Sequence, residues 1–322
     1  MTLSKLARLA NVAVSTASKA FSMSDDINEQ TRQEIFRVAR ENGCFKKFFN
    51  AKYPKFVAAL VCPEVHSQHY SEICLCLQRR LQARGCELCI SSTEFSSQTA
   101  AERIDYYENY SSVDAIILID TETDLPPHET PVICLGGRVS GADVTLRVEY
   151  ETALKSALLG FKNDGLSRIG FIGESHTLSK LSAFKRNAAE IFGKTDEKYI
   201  YVSDKRFEKG GYEAMQALYS SGALPEALIC AYDNIALGAL RFLSDKGVSV
   251  PEKIRIIGMD NIPHAEYSVP RLASIDPLNG DVSEAAAEIF FEILDGKTPK
   301  NEYNFSAELI MRDSAAAFSE KR

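Results

Sequence analysis

From Val57 onward the sequence alternates short apolar runs with longer amphipathic stretches, and no other feature constrains the fold as much. Val57–Cys62, Cys86–Ser91, Ala115–Asp120, Val132–Leu135, Arg168–Gly173, Tyr199–Ser203, Ala227–Ala231 and Arg255–Met259 read as strands. Ser71–Gly85, Ala100–Tyr110, Tyr150–Asp164, Ser179–Phe192, Gly210–Ser221, Ile235–Lys246 and Val282–Leu294 carry apolar residues at helical spacing. Strands buried on both faces read as unbroken apolar runs, and strands that alternate with helices pair in parallel. Residues 57–322 are too many for one ordinary sheet, which predicts two lobes, roughly 57–160 plus 277–304 and 161–276 plus 305–322.

The first 45 residues follow another period. Leu3, Leu6, Ala7 and Ala10 lie on one helical face, with Thr2 able to cap it. Val14–Phe21 follows a break at Asn11-Val12-Ala13, and Asn28 caps a third helix that ends at Gly43. Two short helices joined by a tight turn and closed by a third make a helix-turn-helix head. Residues 46–56, basic, aromatic and broken by Pro54, read as a linker.

Charge divides at the same place. The chain of 322 residues has a formal net charge of −7. Residues 1–56 hold ten Lys/Arg against five Asp/Glu, +5, and the remainder is −12. A basic arm on an acidic body points to a polyanionic partner for the arm. The N-terminus lacks the apolar core of a secretory signal, and no apolar run approaches the length of a membrane span. Both features predict a cytoplasmic protein, in which the eight cysteines are reduced. Cys86 and Cys89 have the spacing of half a zinc site or a redox pair, against the simpler reading of core thiols in a strand.

Several ordered blocks resemble the lactose/galactose-repressor (LacI/GalR) family. Thr2-Leu3-Ser4-Lys5-Leu6-Ala7 and Val14-Ser15-Thr16-Ala17-Ser18-Lys19-Ala20-Phe21 are similar to its first and recognition helices, and Ile27-Asn28-Glu29-Gln30-Thr31-Arg32 to its third. Gly210-Gly211-Tyr212-Glu213-Ala214-Met215, Ala231-Tyr232-Asp233, Ile257-Gly258-Met259-Asp260-Asn261 and Leu309-Ile310-Met311-Arg312-Asp313-Ser314 continue the likeness. The resemblance implies a small all-α helix-turn-helix head (1–45), a hinge (46–56) and an α/β two-lobed, periplasmic-binding-protein-like ligand domain with parallel sheets (57–322). It also implies a homodimeric repressor that binds a double-stranded DNA operator and a small-molecule effector, a sugar or sugar derivative, with no cofactor, metal or membrane.

Carried onto this sequence, the pattern has Val14, Ser15 and Lys19 reading bases and Thr2, Thr16, Ser18 and Ser22 holding phosphates. Lys19 can reach guanine O6/N7, and Val14 a thymine methyl. Thr31 and Arg32 open the third helix, whose free N–H groups suit a phosphate. The effector positions fall on His69, Tyr70, Lys180, Arg206, Tyr232, Asp233 and Asp260, in an expected cleft between the lobes. Lys180 and Arg206 together would suit an anionic ligand.

The departures are specific. Ala13 replaces the usual Ser cap of the recognition helix, and Asn11 stands where Gly is common. The hinge is shorter, lacks Leu, and offers Phe48, Phe49 or Tyr53 either as a minor-groove wedge or as packing against the ligand domain. A sugar-binding protein with weakened DNA binding is therefore the alternative reading. A transport-type binding protein and a Rossmann enzyme fit less well: the head is superfluous to the first, and the Gly-rich fingerprint of the second is missing after Val57–Cys62, where Pro63-Glu64-Val65-His66 follow.

Overall fold

The computed structural model describes residues 1–49 and 56–316. The chain divides into two compact units, Met1–Arg147 with Asn279–Phe305 and Val148–Leu278 with Ser306–Arg322. The first crossover therefore lies at Arg147/Val148, and the helix Glu151–Asn163 belongs to the second unit.

The head consists of α1 (Leu3–Leu9), α2 (Val14–Phe21), α3 (Glu29–Glu41) and a short α4 (Phe45–Phe49). Leu3, Leu6, Ala7, Ala17, Ala20 and Ile35 are fully buried among them. Asn11 turns the chain between α1 and α2 at φ +53°, a conformation Asn tolerates better than most residues. Asn28 Oδ1 accepts from Thr31 N (2.8 Å) to start α3, whereas Ala13 leaves α2 without a side-chain cap.

α4 occupies the start of the expected linker. Phe48 is buried 5.5 Å from Phe21, and Phe45 meets Phe36 edge-on at 5.1 Å and stacks on Phe49 at 4.9 Å. The two expectations for these rings, wedge or packing on the ligand domain, both give way to packing within the head. Burying aromatic area against Phe21 and Phe36 is the larger gain for a segment this apolar. Tyr53 lies outside the described residues.

In the first unit the sheet runs, in spatial order, Glu302–Ser306, Val144–Glu149, Val132–Leu135, Ala115–Ile119, Phe56–Cys62 and Cys86–Ser92, the last five pairing in parallel. The central strands are almost wholly buried. Cys86 is buried and Cys89 exposed, as strand alternation across the sheet requires, so the two thiols do not converge on one metal. Among the described residues no cluster of His, Cys, Asp and Glu could hold a metal ion, and no helix is long and apolar enough to cross a membrane.

The second unit's sheet runs Glu308–Ile310, Ala273–Asp276, Arg255–Met259, Ala227–Cys230, Ile169–Glu174 and Ile200–Ser203, parallel except at its first strand. Val144–Glu149, Ala273–Asp276 and the two C-terminal strands were not expected from sequence. They are short, and three of the four interleave polar residues. Helices Phe207–Ser220 and Asp233–Asp245 cross in direct backbone contact. A Cβ on Gly211 would lie 1.9 Å from Ile235 O, and one on Gly238 would lie 2.0 Å from Glu208 O. This crossing explains Gly211 and Gly238, while a Cβ on Gly210 would meet Lys205 O at 2.2 Å.

Candidate DNA-binding head and ligand site

On the head, Val14, Ser15, Thr16 and Ser18 are half-buried along α2, while Lys19 and Ser22 are exposed. Lys19 Nζ lies 3.2 Å from Asp26 in an exposed pair, which costs little to break. Ser22 caps the end of α2, its Oγ donating to Ser18 O (3.3 Å) and Lys19 O (3.2 Å). The arrangement presents short polar groups and one exposed cation along one helix, as major-groove readout requires.

Thr2 and Arg32 serve the head internally. Thr2 is buried, and its Oγ1 accepts from Lys5 N (3.0 Å) as the α1 cap. Arg32 is buried, its Nη2 donating to Ser24 O (2.7 Å) and Ile27 O (3.3 Å), so its guanidinium ties the α2–α3 loop to α3. Neither side chain faces outward as a phosphate contact would. Thr31 stays partly exposed at the first turn of α3.

In the second unit, polar side chains gather where parallel strands end. Glu174 ends Ile169–Glu174 and is buried; its Oε2 accepts from His176 N (2.8 Å) and Ser175 Oγ (3.2 Å), and its Oε1 lies 3.7 Å from Arg206 Nε. The Arg206 guanidinium sits 4.5 Å over the Phe207 ring, and Phe207 N donates to Tyr232 Oη (3.0 Å). Burial pushes the Tyr232 phenol up to about 12. After Arg255–Met259 the chain turns through Asp260 (φ +96°) and Asn261 (φ +47°). Lys180 Nζ then bridges Ala231 O (2.8 Å) and Asp260 Oδ1 (3.4 Å), 5.6 Å from the Tyr150 ring centre.

The first unit has a smaller polar group at the equivalent strand ends. Tyr70 Oη donates to Asp120 Oδ2 (3.0 Å) just past Ala115–Ile119, and His69 Nδ1 lies 3.3 Å from Asn279 Nδ2. The His69 and Tyr70 rings meet edge-on at 4.9 Å.

Residues 160–315 match the model of a periplasmic binding protein-like domain. The HTH-type transcriptional regulator AscG of Escherichia coli (strain K12) is 25% identical over 338 residues, covering 98% of each chain. The HTH-type transcriptional repressor PurR of Actinobacillus pleuropneumoniae serotype 3 is 25% identical, covering 97% of this chain and 98% of its own. Along nearly its whole length the chain is similar to these HTH-type regulators. A solved transcriptional regulator CelR–cellobiose complex shares the fold, with TM-score 0.69 at 24% identity over 98% of this chain and all of that one.

Set against the positions that the LacI/GalR likeness implies, Lys180, Arg206, Tyr232 and Asp260 come together in the second unit, and His69 and Tyr70 stand side by side in the first. Asp233 departs from the pattern. It is fully buried, its Oδ2 accepting from Ile262 N (2.9 Å) and its Oδ1 from Ser274 Oγ (2.7 Å). Its carboxyl fastens the turn that carries Asp260, and burial, with Asp260 nearby, raises its pKa well above the ordinary carboxylate range. Glu174, Phe207, Tyr150 and Asp120 were missed. The rule that ligands gather at the C-terminal ends of parallel strands, applied to every strand, points to Glu174 and Asp120.

Proposed function

We propose that this chain is a ligand-responsive, sequence-specific DNA-binding repressor of carbohydrate-related genes. In this reading it acts as a cytoplasmic homodimer without enzymatic activity, and its effector is an uncharged saccharide. The charge balance of the second unit's polar cluster carries the choice of effector. Lys180 faces Asp260 and Arg206 faces Glu174, so each cation has its own carboxylate. Such a cluster offers hydrogen-bond donors and acceptors without net charge. It suits hydroxyl groups and removes the ground for expecting an anionic ligand, which rested on the two cations alone. Cellobiose in the CelR complex is a saccharide of this uncharged kind.

On the DNA side the reading rests on Lys19, Ser15, Val14, Thr16, Ser18 and Ser22 along α2, supported by Thr31. A gel shift with the gene's upstream fragments at two salt concentrations tests it. Specific binding that weakens steeply with salt supports the repressor. Saccharide binding without any DNA shift supports the alternative, a sugar-binding protein whose DNA contact is weakened by an atypical hinge.

A further inference from the structure

We propose that Glu174 sets the charge preference of the second unit's ligand site by neutralising Arg206, an inference that rests on the ligand reading above. Glu174 is 2% exposed and cannot swing away, because its Oε2 is held by His176 N and Ser175 Oγ at the turn Ser175–Thr177. Its other oxygen faces Arg206 at 3.7 Å. The Arg206 side chain remains 29% exposed, lies over the Phe207 ring and stands beside Tyr232, so it borders the same strand ends as Lys180 and Asp260. The guanidinium that would otherwise attract a phosphate or carboxylate thus lies beside an internal anion. The Lys180–Asp260 pair repeats the arrangement at the end of Arg255–Met259, one strand removed, so both of these cations face a carboxylate.

Removing the charge and keeping the acceptor isolates the effect. Glu174→Gln retains an oxygen for His176 N. Wild type, E174Q and the double variant E174Q/R206Q are titrated calorimetrically at pH 7.5 with inorganic phosphate, glucose 6-phosphate and cellobiose. E174Q should bind both anions about tenfold tighter than wild type, and the double variant should lose the gain. Equal anion affinity in wild type and E174Q, or a gain that survives loss of Arg206, overturns the assignment. Failure of wild type to bind cellobiose counts against the saccharide reading, and a phosphate gain in E174Q then still upholds the role of Glu174. Should E174Q fold poorly in a thermal melt, Glu174→Ser, with a hydroxyl to cap the same turn, gives the same two readings.

Discussion

Ser4, in the first helix of the head, donates through both its backbone N–H and its hydroxyl to Asp114, 110 residues away at the foot of the first unit's sheet. The other oxygen of that buried carboxyl accepts from Val57 N at 2.9 Å, so Asp114 fastens the head to the strand that follows the linker. Arg8 adds a second tie, its Nη2 donating to Glu129 O at 3.0 Å. Burial raises the Asp114 pKa, which makes the hydroxyl donor important to the stability of this contact. Ser4→Ala should loosen the docked head at a cost of about 1–3 kcal/mol. Tryptic cleavage after the lysines between residues 46 and 55 should then run roughly tenfold faster. An unchanged cleavage rate would show that the contact does not hold the head.

Lys19 makes an exposed pair with Asp26, so Lys19→Ala should leave the melting temperature within about 1–2 °C of wild type. Operator affinity should fall by about 1–3 kcal/mol if Lys19 reads a base. Fluorescence anisotropy on matched and scrambled duplexes checks this. A loss equal on both duplexes assigns Lys19 to the backbone instead.

The helix crossing at Gly211 and Gly238 predicts a stability defect far from either polar group. In Gly238→Ala the new methyl meets the Glu208 carbonyl and the Tyr212 amide, both backbone, so the helices must part. Overpacking of this kind costs about 1–3 kcal/mol, read as a lower midpoint in urea. A midpoint at the wild-type value would contradict the close approach.

Asp233 makes stability depend on pH. Its pKa is raised in the fold by burial and by Asp260, so the stability it confers is complete below its unfolded value, about pH 4. That stability is lost as pH climbs through the folded value. Asp233→Asn keeps an acceptor for Ile262 N and a donor toward Ser274 Oγ and removes the titration. Denaturant midpoints measured between pH 4 and pH 8 should therefore fall in wild type relative to D233N. A constant difference across that range would mean that Asp233 ionises normally in the folded chain.

The sequence made legible what periodicity controls. Ala115–Ile119 and Ala227–Cys230 announce buried parallel strands because both faces are apolar, and the head shows in the spacing of Leu3, Leu6 and Ala7. The two strands at one end of each sheet were lost because alternation such as Val144-Thr145-Leu146-Arg147 spreads few apolar residues over a short span. Candidate site residues stand at positions a family pattern offers, but their hydrogen-bond partners are not written in the sequence. Arg32 and Asp233 stand where a family pattern offers contacts, yet loop carbonyls take the one, and Ile262 N and Ser274 take the other. The pairing of Arg206 with Glu174 depends on two strand ends meeting, which no local pattern records.

In the proposed function one chain couples saccharide binding to DNA binding. The most direct measurement is the affinity of the full chain for its own upstream DNA, by anisotropy, with and without a saturating saccharide that calorimetry shows to bind. Specific binding should be at least about 1,000-fold tighter than binding to scrambled duplex, and saccharide should change it by about fivefold or more. Equal affinity for both duplexes, or specific binding that no bound saccharide alters, would contradict it.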